Sequence, residues 1–292
     1  MVNTLPNILI IGCRGNLGSL VLEQLHNSNF PIRCAKRLGE SFVDPVIIPF
    51  KGFQNLQDFE PDIVINLANY YSQDTSPASI KKMHDSITGV AAAIATENIK
   101  WKAKIINISS YFQYCPEEFK PWSLYSELKS EALQILQKSS RSIKVGLVNF
   151  ILYDNYGGRN KKKFFDLLIK SVAVKQSLDA TFGEQVINLT DIANIATTIV
   201  QECSLGLNQH DNQVLTYDLK GIHTFKLREL AGLVSSVLDI SPIIQWGAIP
   251  YRPKEVFTLW ETTYKPPKYW SPKDQLSDYI LKEAKVYNSS II

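Results

Sequence analysis

Apolar positions recur along the first half of this chain in two alternating rhythms. Short continuous runs at Ile8–Ile11, Pro31–Ala35, Val46–Phe50, Asp62–Ala68, Ala103–Ser109 and Lys144–Ile151 predict strands. Between them the apolar positions return at helical spacing. Leu17, Leu20, Val21 and Leu25 form one such stripe, and Ile80, Met83, Ile87, Val90, Ala91 and Ile94 mark a helix over Ser76–Asn98. Trp122–Lys138 reads as a second long helix, with Leu124, Leu128, Ala132 and Ile135 as the stripe that packs on a sheet. Runs such as Ile63-Val64-Ile65 are apolar throughout rather than alternating, as parallel strands covered on both faces are. Strand and helix in alternation predict an α/β protein with a doubly wound parallel sheet and right-handed crossovers. Ligands of such sheets bind beyond the carboxyl ends of the strands.

Past residue 150 the rhythm loosens. Pro242, Pro250, Pro253, Pro266, Pro267 and Pro272 accumulate, and Trp246, Trp260 and Trp270 fall close together. A helix is expected over Leu227–Leu238. This composition suits a smaller, loop-rich C-terminal lobe that binds substrate. The expected boundaries are 1–152 for the core and 153–292 mainly for the lobe, with about 184–203 returning to the core and a substrate cleft between the two.

Composition narrows the class. The chain has 292 residues, 45% apolar and 20% charged, as ordinary soluble proteins do. The net charge of +3 is too small to argue for a nucleic-acid or membrane partner. Cys13, Cys34, Cys115 and Cys203 lack metal-ligand spacing, so no metal site is expected and a reducing, cytoplasmic setting is. Met1–Gly12 does not read as a signal peptide, and no apolar run approaches the roughly 20 residues of a membrane span.

One stretch carries candidate chemistry from the outset. Gly12, Gly15 and Gly18 are spaced three apart, directly after a strand and at the head of an amphipathic helix. Glycine there permits positive φ and close approach to the main chain, and the helix N-terminus favours phosphate. In that context the spacing reads as a dinucleotide turn, with Arg14, Asn16 and Leu17 inside it, and the sheet as Rossmann-type. The end of the second strand is Ala35-Lys36-Arg37, with no acid to bind a ribose 2′-hydroxyl. Cations at that place, with Arg14, suit the 2′-phosphate of NADP(H) better than NAD(H).

A second constellation lies on the helix over Trp122–Lys138. Tyr125 and Lys129 are four residues apart and share a face. The preceding strand ends in Ser109-Ser110 at the carboxyl edge. A phenol titrates near about 10, and a neighbouring ammonium is expected to lower that value. Tyr125 could then exchange a proton with a carbonyl oxygen that a serine hydroxyl also holds. The basic run Gly158–Lys163, with Arg159, reads equally as a contact for a nucleotide diphosphate and as solvated charge. Tyr70 and Tyr71 follow the fourth strand and line a sugar pocket or cover the core.

Gly12-x-x-Gly15-x-x-Gly18, Ser110 and Tyr125-Ser126-Glu127-Leu128-Lys129 together resemble the extended short-chain dehydrogenase/reductases, in particular the nucleotide-sugar epimerases, dehydratases and 4-ketoreductases. Asn66-Leu67-Ala68, Tyr156-Gly157-Gly158, Asn188–Ile192 and Pro250-Tyr251-Arg252-Pro253 add to the likeness. The resemblance implies Ser110, Tyr125 and Lys129 as catalytic residues and Leu67 and Ala68 beside the cofactor. It also implies Arg252 at the diphosphate of a nucleotide sugar and a homodimer through the two long helices; Tyr70, Ser110, Tyr111 and Arg159 are placed by position as the other substrate contacts. Ser110 is preferred to Ser109 because Tyr114 stands four residues after it. Family dehydratases carry an Asp-Glu pair after the active-site serine or threonine; Tyr111-Phe112 stand there instead, which argues against dehydration. With the cations at the second strand, the expected activity is NADPH-dependent reduction of a 4-keto nucleotide sugar. An epimerase with retained NAD is the alternative, and a non-catalytic dinucleotide sensor is the alternative of another class.

Overall fold

The computed structural model describes residues 5–37, 47–50, 59–159, 163–205 and 212–289, and the backbone alone at Lys36, Arg37 and 47–50. Its strands and helices begin β1 (Ile8–Ile11), α1 (Asn16–Asn27), β2 (Ile32–Arg37), β3 (Ile47–Phe50), β4 (Ile63–Asn66), α2 (Pro77–Trp101), β5 (Lys104–Ser110), α3 (Leu124–Ile143) and β6 (Leu147–Leu152). They continue with β7 (Asp154–Tyr156), α4 (Phe164–Ala173), β8 (Leu178–Ala180), β9 (Val186–Asp191), α5 (Ile192–Ser204), β10 (Val214–Asp218), β11 (His223–Lys226), α6 (Leu227–Leu238), β12 (Ile244–Trp246) and α7 (Leu276–Ser289). The chain divides into two compact units: Met1–Leu152 with Ala196–Leu219 and Thr262–Trp270, and Tyr153–Ile195 with Lys220–Glu261 and Ser271–Ile292.

The first unit is built on a seven-stranded sheet of order β10-β6-β5-β4-β1-β2-β3. Every pairing in it is parallel. The chain therefore winds outward from β1 in one direction through β2 and β3, then in the other through β4, β5 and β6. The direction reverses between β1 and β4, which is the ligand-binding position of doubly wound sheets. Ile8, Leu9, Ile10, Ile63, Val64, Ile65, Ile105 and Ile106 are fully buried, as strands covered on both faces require. On one face Leu9, Ile11, Val64, Ile105 and Leu147 pack with Met83, Ile87 and Ile94 of α2 and Leu128, Ala132 and Leu136 of α3. The stripe anticipated for α3 thus faces the sheet.

Local chemistry sets the ends of these elements. Ser76 caps α2 by accepting from the Ser79 amide, and Pro77 occupies the first turn. Buried Asn98 closes the other end: its amide and carbonyl pair with the Ala103 carbonyl (3.0 Å) and amide (2.9 Å), stitching α2 to β5. α3 runs to Ile143, five residues beyond the expected Lys138. It stops where Lys144 enters the left-handed region (φ 57°), and β6 consequently starts at Leu147 rather than Lys144. β4 ends at Asn66, two residues before the expected Ala68, because the Asn66 side chain accepts from the Ala68 amide at 3.3 Å and turns the chain.

The second unit holds more regular structure than its sequence suggests. It contains a three-stranded sheet (β11-β9-β7), a two-stranded sheet (β12-β8) and the helices α4, α6 and α7. Only α6, over Leu227–Leu238, was expected. Phe165, Leu168, Ile169 and Val172 of α4 pack with Leu230 and Val234 of α6 and Leu276, Ile280 and Ala284 of α7 in a separate apolar core. The Tyr279 hydroxyl donates to the Asp166 carboxylate at 2.5 Å, tying α7 to α4. The expectation of a loop-rich lobe is corrected accordingly. The strands are three to six residues long and sit among prolines, so their periodicity is too brief to read.

Candidate functional site

The glycine turn lies where the sheet reverses. Gly12 follows β1 with φ 90°, and a Cβ there would stand 2.7 Å from the Leu67 carbonyl and 2.8 Å from the Ala68 amide nitrogen. The turn is thus pressed against the end of β4, and only glycine fits. A Cβ on Gly18 would meet the Gly12 carbonyl oxygen at 2.1 Å, so the first turn of α1 lies directly on the loop. Gly15 caps α1 with no side-chain acceptor, leaving this end of the helix to backbone groups and its dipole. Asn16 opens the helix, Leu17 is half-buried behind it, and Arg14 is exposed at the crest of the turn. The shape and the donors fit a dinucleotide diphosphate. β2 ends at Arg37, but the side chains of Lys36 and Arg37, and residues 160–162 of the basic run, lie outside the described ones.

The candidate proton-transfer residues come together in the same unit. Ser123 caps α3 in a reciprocal pairing with Ser126, which places Tyr125 in the first turn and Lys129 one turn later. Lys129 is 6% exposed; its Nζ donates to the Ile108 carbonyl at 3.0 Å and lies 6.0 Å from the Tyr125 ring centroid. Tyr71 meets the Tyr125 ring edge-on at 5.2 Å. Burial pushes the Tyr125 phenol up to about 12, against the lowering effect of a hydrogen bond from Asn69. Burial pulls Lys129 down to about 8. The expected lowering of the Tyr125 pKa by its neighbour is therefore corrected. The ammonium is engaged by a backbone carbonyl, and desolvation of the phenol dominates.

Ser110 ends β5. Its amide donates to the Gln113 side chain at 2.9 Å, and its Oγ accepts from the Phe112 amide at 3.4 Å as the cap of a short turn over Tyr111–Tyr114. The hydroxyl proton of Ser110 is not used in either bond. Ser109 differs: its Oγ donates to the Asn149 side chain at 2.7 Å. The Ser110 hydroxyl proton is thus uncommitted in these bonds, whereas that of Ser109 is spent on Asn149. Burial raises the Tyr114 pKa, against the lowering effect of the neighbouring Ser109 and Asn149 side chains.

The remaining candidates distribute as follows. Tyr111 is buried and stacks on Phe112 at 4.3 Å, and the Phe112 and Trp122 rings are parallel at 6.5 Å, so the loop after Ser110 presents aromatic surface. Tyr70 is half-buried under the Lys82 ammonium, 4.2 Å from its ring centroid. In the second unit Arg159 is exposed, and Lys163 turns inward to the Asn155 carbonyl and side chain at 2.6 and 2.7 Å. Arg252 forms a two-pronged pair with Glu255, Nε at 2.7 Å and Nη2 at 2.8 Å. Asn69 and Asn107 were not anticipated. The available signal was a polar residue inside or just after a strand otherwise written in isoleucine and valine. Among the described residues no cluster of three or more His, Cys, Asp or Glu could hold a metal, and no helix is long and apolar enough to cross a membrane.

A parallel sheet that reverses at a glycine turn, with a Tyr–Lys pair on a following helix and a strand-end serine, defines a dinucleotide-dependent α/β enzyme. Comparison with known proteins carries this further. Residues 8–206 match the NAD dependent epimerase/dehydratase family, and the chain belongs to that family. It is 29% identical over 238 residues to the CDP-abequose synthase of Yersinia pseudotuberculosis, covering 80% of this chain and 81% of that one. Its fold matches UDP-glucuronic acid 4-epimerase from Bacillus cereus (TM-score 0.77, 16% identity), over 98% of this chain and all of that one. It also matches DesIV, a dTDP-glucose 4,6-dehydratase from Streptomyces venezuelae (TM-score 0.74, 14% identity), over 97% of each chain.

Proposed function

We propose that this enzyme reduces the 4-keto group of a nucleotide-activated deoxy sugar, with NADPH as reductant and Tyr125 as proton donor. The observation that carries the reading is the set Ser110, Tyr125 and Lys129 beside a loop whose next residues are Tyr111 and Phe112. Proton transfer to an oxygen is supplied by that set, whereas elimination of water needs an acid and a base where only aromatic rings stand. The likeness to a CDP-abequose synthase supports a nucleotide sugar as substrate.

Bound dinucleotide would supply the hydride that adds to the carbonyl carbon. The carbonyl π electrons then move onto oxygen, and the Tyr125 hydroxyl gives that oxygen its proton. A phenol held at about 12 stays protonated at neutral pH, which suits a donor. The Ser110 hydroxyl donates to the same oxygen. As the phenolate forms, the Lys129 ammonium one turn away offsets its charge. Arg14 at the crest of the glycine turn, with Lys36 and Arg37 at the end of β2, would hold a 2′-phosphate, and Arg159 and Arg252 are assigned to the sugar-nucleotide diphosphate.

The test is NADPH and NADH oxidation with a panel of CDP-, dTDP- and UDP-linked 4-keto sugars, followed by identification of the product. Turnover with NADPH, and its loss in Tyr125→Phe, is expected. Net interconversion of 4-hydroxy epimers without consumption of reductant would assign epimerisation instead.

A further inference from the structure

Three asparagines lie side by side on three adjacent strands. Register pairs Asn66 of β4 with Asn107 of β5, and Asn107 with Asn149 of β6. All three are buried, at 5%, 3% and 0% exposure. Their side chains form one directed chain: Asn66 Nδ2 donates to Asn107 Oδ1 at 2.9 Å, and Asn107 Nδ2 donates to Asn149 Oδ1 at 2.8 Å. Ser109 Oγ donates to that same Asn149 oxygen at 2.7 Å. At the other end Asn66 Oδ1 accepts from the Ala68 amide. The row caps the apolar face formed by Val64, Ile105 and Leu147, two residues before each asparagine, on the side of the sheet that α2 and α3 cover.

Asparagine is disfavoured inside strands, and a buried amide is costly unless its partners are in place; here Asn149 Nδ2 is buried with no hydrogen-bond partner, so the row is kept at a cost. Apolar residues would fill these positions at less cost, as they do one step earlier on each strand. Breaks in local rules of this kind concentrate at functional sites. Here both ends of the row touch site elements. At one end is the Leu67–Ala68 turn, whose backbone abuts Gly12. At the other is the Ser109–Ser110 end of β5, where the Ile108 carbonyl receives Lys129.

We infer that Asn66, Asn107 and Asn149, with Ser109, are positioning residues that lock the dinucleotide turn and the serine end of β5 into one fixed geometry. They act through backbone placement and need not touch substrate. The inference rests on the family's dinucleotide site and deepens the reductase reading without depending on which sugar is used.

A double-mutant cycle between the two ends tests it, with Asn66→Ala and Ser109→Ala alone and together. The first readout is the dissociation constant of NADPH and of NADH by fluorescence titration, and the second is kcat for keto-sugar reduction. Each single variant is expected to weaken the preferred dinucleotide three- to tenfold. The double variant should weaken it no more than the worse single one, because either change breaks the same chain. Ser109→Thr, which keeps the hydroxyl, should restore binding. Asn107→Leu should give the largest loss of affinity and of kcat. If it fails to fold, the cycle between the ends still decides. Strictly multiplicative effects, or a lowered melting temperature with unchanged dissociation constants, would overturn the inference. Normal dinucleotide binding with no keto-sugar turnover in the wild type would instead count against the reductase reading.

Discussion

Tyr125 and Lys129 stand one helical turn apart on α3, with the Lys129 ammonium 6.0 Å from the Tyr125 ring and anchored on the Ile108 carbonyl. Helix and strand are thereby joined at the residue that flanks Ser109 and Ser110. The pair is not a preformed phenolate–ammonium couple. Burial holds the phenol protonated and lowers the lysine to about 8, so at neutral pH a neutral phenol faces an ammonium.

The first prediction follows from that geometry. Tyr125→Phe keeps the ring against Tyr71 and removes only the hydroxyl. Turnover is expected to fall about 10²–10⁴-fold, the usual worth of a placed general acid, with dinucleotide affinity nearly unchanged. Steady-state kinetics and a fluorescence titration measure the two separately.

Lys129 sets the pH dependence. Its pKa is lowered by burial to about 8 from the ordinary value of about 10.5. Between those values the unfolded chain holds more protons than the folded one, so this group's contribution makes stability rise with pH through that window. Under the proposed mechanism activity runs the other way, because the ammonium is the form that offsets the phenolate. kcat is expected to decline above about pH 8 while the melting temperature does not decline on account of this residue. A rate flat from pH 7 to beyond about 10 would show that the lysine charge is dispensable.

The glycine turn tolerates no Cβ at Gly18, where one would meet the Gly12 carbonyl oxygen at 2.1 Å. Gly18→Ala must shift α1 away from β1. A loss of about 1–3 kcal/mol in stability is expected, as overpacking typically costs. Dinucleotide affinity should fall by an order of magnitude or more. Denaturant titration and NADPH titration check the two effects.

A buried ion pair lies at the opposite end of β5. Lys104 Nζ and Glu202 Oε1 are 2.5 Å apart with side chains 4% and 0% exposed, and the Tyr269 hydroxyl donates to the other carboxylate oxygen. The cluster ties β5 to α5 and to the 262–270 segment. Lys104→Met leaves a buried carboxylate without its cation and should destabilise the fold by about 3–5 kcal/mol. Lys104→Met with Glu202→Leu together should recover most of that loss, measured by chemical denaturation.

The cofactor preference can be read on the candidate 2′-phosphate cations. Arg14→Ala together with Arg37→Ala should raise the NADPH dissociation constant at least tenfold and leave NADH within about threefold, since each charge-assisted phosphate bond contributes about 1.5–3 kcal/mol. Equal losses for both dinucleotides would remove the argument for NADPH.

Sequence alone determined the alternation of β1 through β6, the glycine turn, and the shared face of Tyr125 and Lys129, because these depend on local period and on Gly12, Gly15 and Gly18. It also carried the likeness that the family match bears out. The tertiary structure decided what no local period encodes. It set the strand order, which places the turn at the reversal between β1 and β4. It showed that the second unit has its own core of α4, α6 and α7, whose pieces are far apart in the chain. It reversed the expected pKa of Tyr125, since desolvation and the engagement of Lys129 by a carbonyl arise only from packing. It also aligned Asn66, Asn107 and Asn149 across β4, β5 and β6, a relation fixed by register between strands about forty residues apart.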